Sequence, residues 1–438
     1  MLLFSERELF FVSSVIYDRE INISGDREMR RKVCFVICIV MVFTLLASCA
    51  KKEEKIEPKP EGRPLNTGKE DEMSGETVIN TGLPEKSVYG VGILDRLYRS
   101  GENIVVSDLS INMALAMLTE GAKGETLAEL EAYLGCPIDE YRAFVLRYLK
   151  ELPDNEEMKV LISNSYWKDE ACTIRDSYGK ILEDNYKALF KEVDFSKEGT
   201  AALINDFVKD KTKGLIDHLV DDGDIYDLKM MIMNCLYFKG LWGDEVNIVK
   251  EEDFKGLIKT KKTKMLFTSE DTYFENEKAV AFSKKYMGRY EFIGILPKEE
   301  GDFSLQDLDI SSLLKSRNDS DYRVHTMIPE LDIKFGSDIT TALEEMGIKH
   351  VFAPELADLG NMSEEHLFAD TVIHKTRLKL NKEGTEAAAV TAVMVKATGL
   401  PMMEEKIDVD VHLDRPFAFL IYDTENDIAL FTGKVMMP

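Results

Sequence analysis

Gly384-Thr385-Glu386-Ala387-Ala388-Ala389-Val390-Thr391-Ala392-Val393 is the stretch on which the reading of this chain turns. Its residues are small and mostly uncharged. Composition alone favours a helix, because alanine has the highest helix propensity. In a strand, side chains alternate between faces. One face would then carry Thr385, Ala387, Ala389, Thr391, Val393 and Val395. These are small or β-branched and uncharged, so the face can enter a core without burying charge. The other face carries Glu386, Ala388, Val390, Ala392, Met394 and Lys396, and so takes both ionisable residues. A charged or bulky residue on the inner face would cost several kcal/mol. The segment suits both a mobile loop and a strand buried on one face, and a segment that can be both can act as a switch.

Upstream lies a strand-like run, Thr371 to Leu380, and downstream a tail with Pro416-Phe417 and Phe431-Thr432-Gly433. Apolar residues at helical spacing predict a helix over Ile111–Leu118, with Ser110 as N-cap. Asn205–Leu219 reads as an amphipathic helix and Met230–Phe238 as a buried strand. Thr272–Phe282 and Tyr290–Leu296 read as further strands, and Thr340–Met346 as a short helix before Gly347. Helices early and strands late argue for an α+β fold rather than alternating βαβ units.

With 438 residues and 45% apolar content, the chain can bury a large core. A net charge of −25 argues against a nucleic-acid partner, which demands a surplus of Lys and Arg. Residues 1–28 fit neither a targeting segment nor the fold, and a misassigned start is expected there. Over 29–48, Arg30, Arg31 and Lys32 precede an apolar run from Val33 to Ala47. That run is shorter than the ~20 residues of a spanning helix and fits a signal-peptide core. It ends Leu46-Ala47-Ser48-Cys49, which resembles the bacterial lipobox and makes Cys49 the expected lipidation site. Residues 49–82 are polar and lack aromatic side chains until the globular part begins, so they read as a disordered tether. As a flexible coil it would span about 30 Å. The globular domain would be 83–438, a monomer held outside the cytoplasm by the lipid, or secreted. Cys136, Cys172 and Cys235 have no motif spacing and read as buried thiols.

No catalytic constellation stands out. The chain lacks a Gly-x-Ser-x-Gly elbow, a His-Glu-x-x-His helix and a phosphate-binding glycine loop. Glu364-Glu365-His366 reads as a solvated helix start rather than a metal site, and no cofactor is expected.

Several blocks, in order, resemble the serpins over residues 86–438. They are Asn103-Ile104-Val105-Val106-Ser107-Asp108-Leu109-Ser110, Met113 to Leu118 with Gly121-Ala122-Lys123-Gly124, Asn234-Cys235-Leu236-Tyr237-Phe238-Lys239-Gly240-Leu241-Trp242, His374-Lys375, the small-residue stretch itself, and Arg415-Pro416-Phe417. The resemblance implies a serpin fold, with three β-sheets, eight to nine helices and an exposed reactive-centre loop. It implies an inhibitor, not an enzyme: a serine or cysteine protease cuts the loop, which then inserts as an extra strand and holds the protease as a covalent complex. The hinge would be Lys382 and Gly384 to Thr391. Ser107, Ser110, Asn234 and His374 would form a polar cluster where the strands part, with Trp242 above it. Lys382 and Glu330 reverse the family's usual signs, which predicts a Glu330–Lys382 ion pair. Asp108 replaces the usual proline, and Val390 is larger than the usual alanine.

Family spacing from Gly384 places the scissile bond at Thr398-Gly399, with Lys396-Ala397 as the alternative. Thr398 suits small-pocket proteases and Lys396 a trypsin-like one. From Thr385 to the bond is about fourteen residues, roughly 46 Å extended. A non-inhibitory serpin that serves as a binding or passive substrate protein is the competing reading, and an unrecognised surface hydrolase a more distant one.

Overall fold

A computed structural model describes residues 89–386 and 406–438. Among them are nine α-helices and sixteen strands in three sheets. The main sheet orders β11 (Leu331–Asp338), β12 (Ile373–Leu380), β13 (Gly384–Thr385), β4 (Met230–Leu241), β2 (Met158–Asp169) and β3 (Leu189–Val193). The second orders β1 (Ile104–Val106), β16 (Ile428–Val435), β15 (Phe417–Asp423), β9 (Tyr290–Pro297), β8 (Ala279–Lys285) and β7 (Thr272–Glu275). The third orders β14 (Ile407–His412), β10 (Tyr322–Pro329), β6 (Thr260–Glu270) and β5 (Ile248–Lys255). Helices predominate up to Ile225 and mostly antiparallel strands beyond it, as expected of an α+β fold. No helix among the described residues is long and apolar enough to cross a membrane.

β12 shows how sequence makes one layer. His374, Thr376, Leu378 and Leu380 are buried, while Lys375, Arg377 and Lys379 between them are not. This two-residue period turns both leucines, with His374 and Thr376, to the core and every cation toward water. The strands β9, β15 and β16 are buried on both faces and carry few charges. Behind β4 lies the helix Asp108–Thr119, which packs against both β4 and β16. Apolar residues line it on all sides, which suits a helix sandwiched between two sheets.

Several boundaries differ from the sequence reading: the strand read as Met230–Phe238 runs on to Leu241, Glu364-Glu365-His366 starts no helix, and three further differences have a clear cause. The helix expected at Ile111 begins at Asp108, and Ser107 caps it, its Oγ accepting from Ser110 N at 3.2 Å. The preceding β1 delivers the chain to the helix three residues early, so the first serine of the pair is the cap. The helix expected over Asn205–Leu219 is Thr200–Lys211. Gly214, at φ 84°, breaks it, and the Asn205 side chain accepts from Leu219 N at 2.6 Å, closing the loop that follows. Thr272–Phe282 is two strands of a hairpin, because the Asn276 side chain accepts from the backbone of Lys278 and Ala279 and forms the turn. The three cysteines of the domain are buried free thiols, as expected.

Asp108 is a fully buried carboxyl at the start of its helix. It accepts from Asn112 Nδ2 at 2.9 Å, but burial pushes its pKa up to about 7. A raised acid binds its proton more tightly in the folded state. Its contribution to stability is therefore fully present below the ordinary carboxylate range and lost as pH rises through 7. Asp108→Asn should raise the melting temperature at pH 8 and change it little at pH 4. Melting both proteins at each pH checks this. His374, lowered to about 4 by burial, works in the opposite window and cancels in the comparison.

Candidate functional site

Gly384 and Thr385 already occupy a strand position. As β13 they lie between β12 and β4, Thr385 opposite Leu380 on one side and Gly240 on the other. Around them, Trp242 N donates to Glu383 O at 3.1 Å and Glu386 N to Lys379 O at 2.9 Å. A tight turn over Asn381–Gly384 brings the chain back along β12, with Asn381 Oδ1 accepting from Glu383 N at 2.9 Å. Gly384 is required here. Its φ is 146°, and a Cβ would fall 2.0 Å from the Gly240 carbonyl oxygen. Gly240 is constrained in turn, because a Cβ there would meet the Tyr286 ring at 2.8 Å.

Thr385 faces inward and is 2% exposed. Its hydroxyl lies 2.5 Å from the Tyr286 hydroxyl. Burial pushes the Tyr286 phenol well up, so it stays neutral. Tyr286 stacks on Trp242 with ring centres 4.4 Å apart. Trp242 Nε1 donates to Asn381 O at 3.0 Å, tying the indole to the hinge turn. Lys284 Nζ stands 5.2 Å from the Trp242 ring and 3.0 Å from Glu270 Oε1. Burial raises the Glu270 carboxyl, with Lys284 opposing that effect. Glu386 follows in a strained left-handed conformation, φ 52°. Burial brings its carboxyl up to about 7, against the pull of Lys379 and Arg377. Ala387, Ala388, Ala389, Val390 and Thr391 lie outside the described residues, as do Lys396, Ala397, Thr398, Gly399 and Cys49.

The polar cluster straddles the seam between β4 and β12. Ser110 Oγ donates to Asn234 Oδ1 at 2.5 Å, and Asn234 Nδ2 to Asn164 Oδ1 on β2 at 2.7 Å. Across the seam, His374 Nε2 accepts from Ser107 N at 3.1 Å, and Thr376 Oγ1 donates to Val105 O at 2.5 Å. The four predicted residues thus share one helix start but divide between two sides. Asn234 and His374 each bond to the serine pair rather than to each other. β4 and β12 also share no ladder pair with each other among the described residues, where the two residues of β13 provide the link. The chain continues outward from Asn164 through Tyr186 to Glu120, which Arg142 grips with two nitrogens at 2.7 and 2.6 Å.

The expected Glu330–Lys382 pair is not formed. Lys382 Nζ lies 3.5 Å from its neighbour Glu383, and Glu330 lies 4.0 Å from Lys264. The sharp turn at Asn381 keeps Lys382 local, while Glu330 follows β10 to the edge of β6, where Lys264 stands. Tyr286, Asn164 and Lys284 were not singled out from sequence. No local signal marks them, because Tyr286 meets Thr385 99 residues away, Asn164 meets Asn234 70 residues away, and Lys284 pairs with Glu270 from a different strand. Gly240 did carry a signal, a glycine inside a strand, which marks close backbone approach. Among the described residues no group of three or more His, Cys, Asp or Glu could hold a metal ion.

The family profile for serpin, serine protease inhibitor, matches residues 86–438. The chain belongs to the serpin family. An uncharacterized serpin-like protein of Thermococcus kodakarensis is 29% identical over 94% of this chain and 99% of its own length. Serpin-ZX of Arabidopsis thaliana is 27% identical over 77% of this chain and 92% of its own. Among solved structures, the native state of the thermophilic serpin tengpin superposes with a TM-score of 0.71 at 28% identity, covering 85% of this serpin and 97% of tengpin. Thyroxine-binding globulin in complex with thyroxine shares the fold at a TM-score of 0.67 and 24% identity. Serpins are in general protease inhibitors and not catalytic enzymes, and the three-sheet fold expected from sequence is the one present here.

Proposed function

We propose that this serpin is a single-use inhibitor of extracytoplasmic serine proteases, working by cleavage and insertion of its reactive-centre loop. The observation that carries the reading is β13: the hinge sits in register between β4 and β12, two strands with no other ladder between them among the described residues. An inserting chain would extend β13 down this seam. Thr385 enters the core face first, and the residues that follow with it on that face, Ala387, Ala389, Thr391, Val393 and Val395, are small or β-branched. None would bury a charge. Ser107, Ser110, Asn234 and His374 would act as the latch beneath the seam, since each side holds the helix rather than the opposite strand. Hydrogen bonds so arranged can hold the sheet closed and be exchanged when the strands part.

The scissile bond in this proposal is Thr398-Gly399, with Lys396-Ala397 as the alternative, and Cys49 carries a lipid that tethers the domain to its membrane. A screen against elastase-, subtilisin-, trypsin- and papain-like enzymes tests it. The expected result is an SDS-resistant adduct with at least one of them, and a released C-terminal fragment whose mass identifies the bond. Cleavage by every enzyme with no adduct would favour the non-inhibitory alternative, to which this fold is also suited, as thyroxine-binding globulin illustrates.

A further inference from the structure

The β5–β6 hairpin carries an unusual combination. Residues 250–264 hold six lysines (Lys250, Lys255, Lys259, Lys261, Lys262 and Lys264) against three carboxylates, in a chain with a net charge of −25. All six lysines are exposed. At the tip stand Leu257, 40% exposed, and Ile258, 95% exposed. An isoleucine standing almost wholly in water has no folding role. The tip is also held rigidly. Gly256 N donates to Lys259 O at 3.0 Å, and Lys255 N to Asp414 O at 2.7 Å. A Cβ on Gly256 would lie 2.2 Å from the Met437 methyl, so the turn is packed against the C-terminal segment with no room for a side chain there. The fold presents two apolar side chains at a fixed apex, with cations behind them.

We propose that this hairpin is a docking wedge for an anionic phospholipid surface. Leu257 and Ile258 would enter the acyl boundary while Lys255, Lys259 and Lys262 sit at the headgroups. Amphipathic elements bind interfaces by this division of labour between apolar burial and cationic attraction. Some of the lysines already face carboxylates: Lys262 lies 2.9 Å from Asp253 and Lys255 3.7 Å from Asp414. These are exposed pairs, which cost little to exchange for lipid phosphates. The acidic remainder of the domain opposes approach only weakly, because charges more than a Debye length from the bilayer, about 8 Å at physiological ionic strength, are screened. The contact requires no protease. It is also separate from lipidation at Cys49, and where that anchor is present it would set which end of the domain faces the membrane.

Trp167 and Trp242, the two tryptophans of the chain, are each 3% exposed and give a buried background. Ile258→Trp in the full chain, with Cys49→Ala to remove the lipid, therefore reports on the tip alone. On vesicles of phosphatidylglycerol mixed with phosphatidylcholine its emission should shift to the blue and be quenched by brominated acyl chains. On phosphatidylcholine alone neither change should occur. Adding Lys255→Glu, Lys259→Glu and Lys262→Glu should cut the response at least tenfold while thermal melting stays that of the parent. Unchanged emission on the anionic vesicles, or an equal response to both compositions, would overturn the proposal. So would a response to soluble dextran sulfate with none to vesicles, which would point to a soluble polyanion instead.

Discussion

Thr385→Arg should turn this serpin from a protease trap into a protease substrate. The side chain at 385 is inside the main sheet, 2% exposed, with its hydroxyl against Tyr286 and its backbone between Gly240 and Leu380. Arginine there must either bury an unpaired cation, at about 3 kcal/mol or more, or hold the hinge out of the seam. Either way insertion slows while deacylation of the protease does not. A penalty of that size is on the order of 100-fold in a rate. In a band-shift assay the trapped adduct should fall by about that factor and the cleaved protein should accumulate. Thr385→Ser, which keeps the hydroxyl for Tyr286, should trap normally. Undiminished adduct from the arginine variant would sink the insertion mechanism. Its melting temperature, compared with the parent, separates this from simple misfolding.

The second large effect is on stability. Cleaving the loop near Thr398 should raise the melting temperature by about 20 °C or more. β4 and β12 are 12 and 8 residues long, yet share no ladder with each other among the described residues. A strand threaded between them would gain on the order of ten backbone hydrogen bonds, each worth about 1 kcal/mol net. It would also bury the apolar face that begins at Thr385. About 10 kcal/mol at roughly 2 °C per kcal/mol for a domain of this size gives the estimate. Scanning calorimetry before and after limited proteolysis measures it, with mass spectrometry confirming a single cut. An unchanged melting temperature after a clean cut would mean that no strand was added.

Local patterns were readable because they need only neighbouring residues. The strand-like run that becomes β12 was legible, and its cations alternate with the side chains that turn out to be buried. The apolar residues at helical spacing in Ile111–Leu118 announced a helix, although not its start at Asp108 or the buried polar residues Asp108, Ser110 and Asn112 that it carries. The glycine at 384 was legible as part of the small-residue stretch, while the reason for it, a Gly240 carbonyl oxygen 2.0 Å from where a Cβ would fall, was not. Other features were illegible for the converse reason. Lys382 and Glu330 have opposite charges and look like partners, yet the turn at Asn381 and the edge of β6 send them to Glu383 and Lys264. Which serine caps the helix depended on where β1 hands over the chain.

By itself the sequence determined the family, the α+β class, and a hinge of small uncharged residues fit to be buried on one face. These are properties of residue type and spacing, and they hold whatever the rest of the chain does. Only the tertiary structure decided that the hinge already stands between two strands with no other shared ladder. It likewise decided that Tyr286, 99 residues away in the chain, meets Thr385, and that Asn234 and His374 hold the same helix from opposite sides. Such contacts join segments brought together by packing of separate sheets, and a contact made across that distance leaves no mark in the local order of residues.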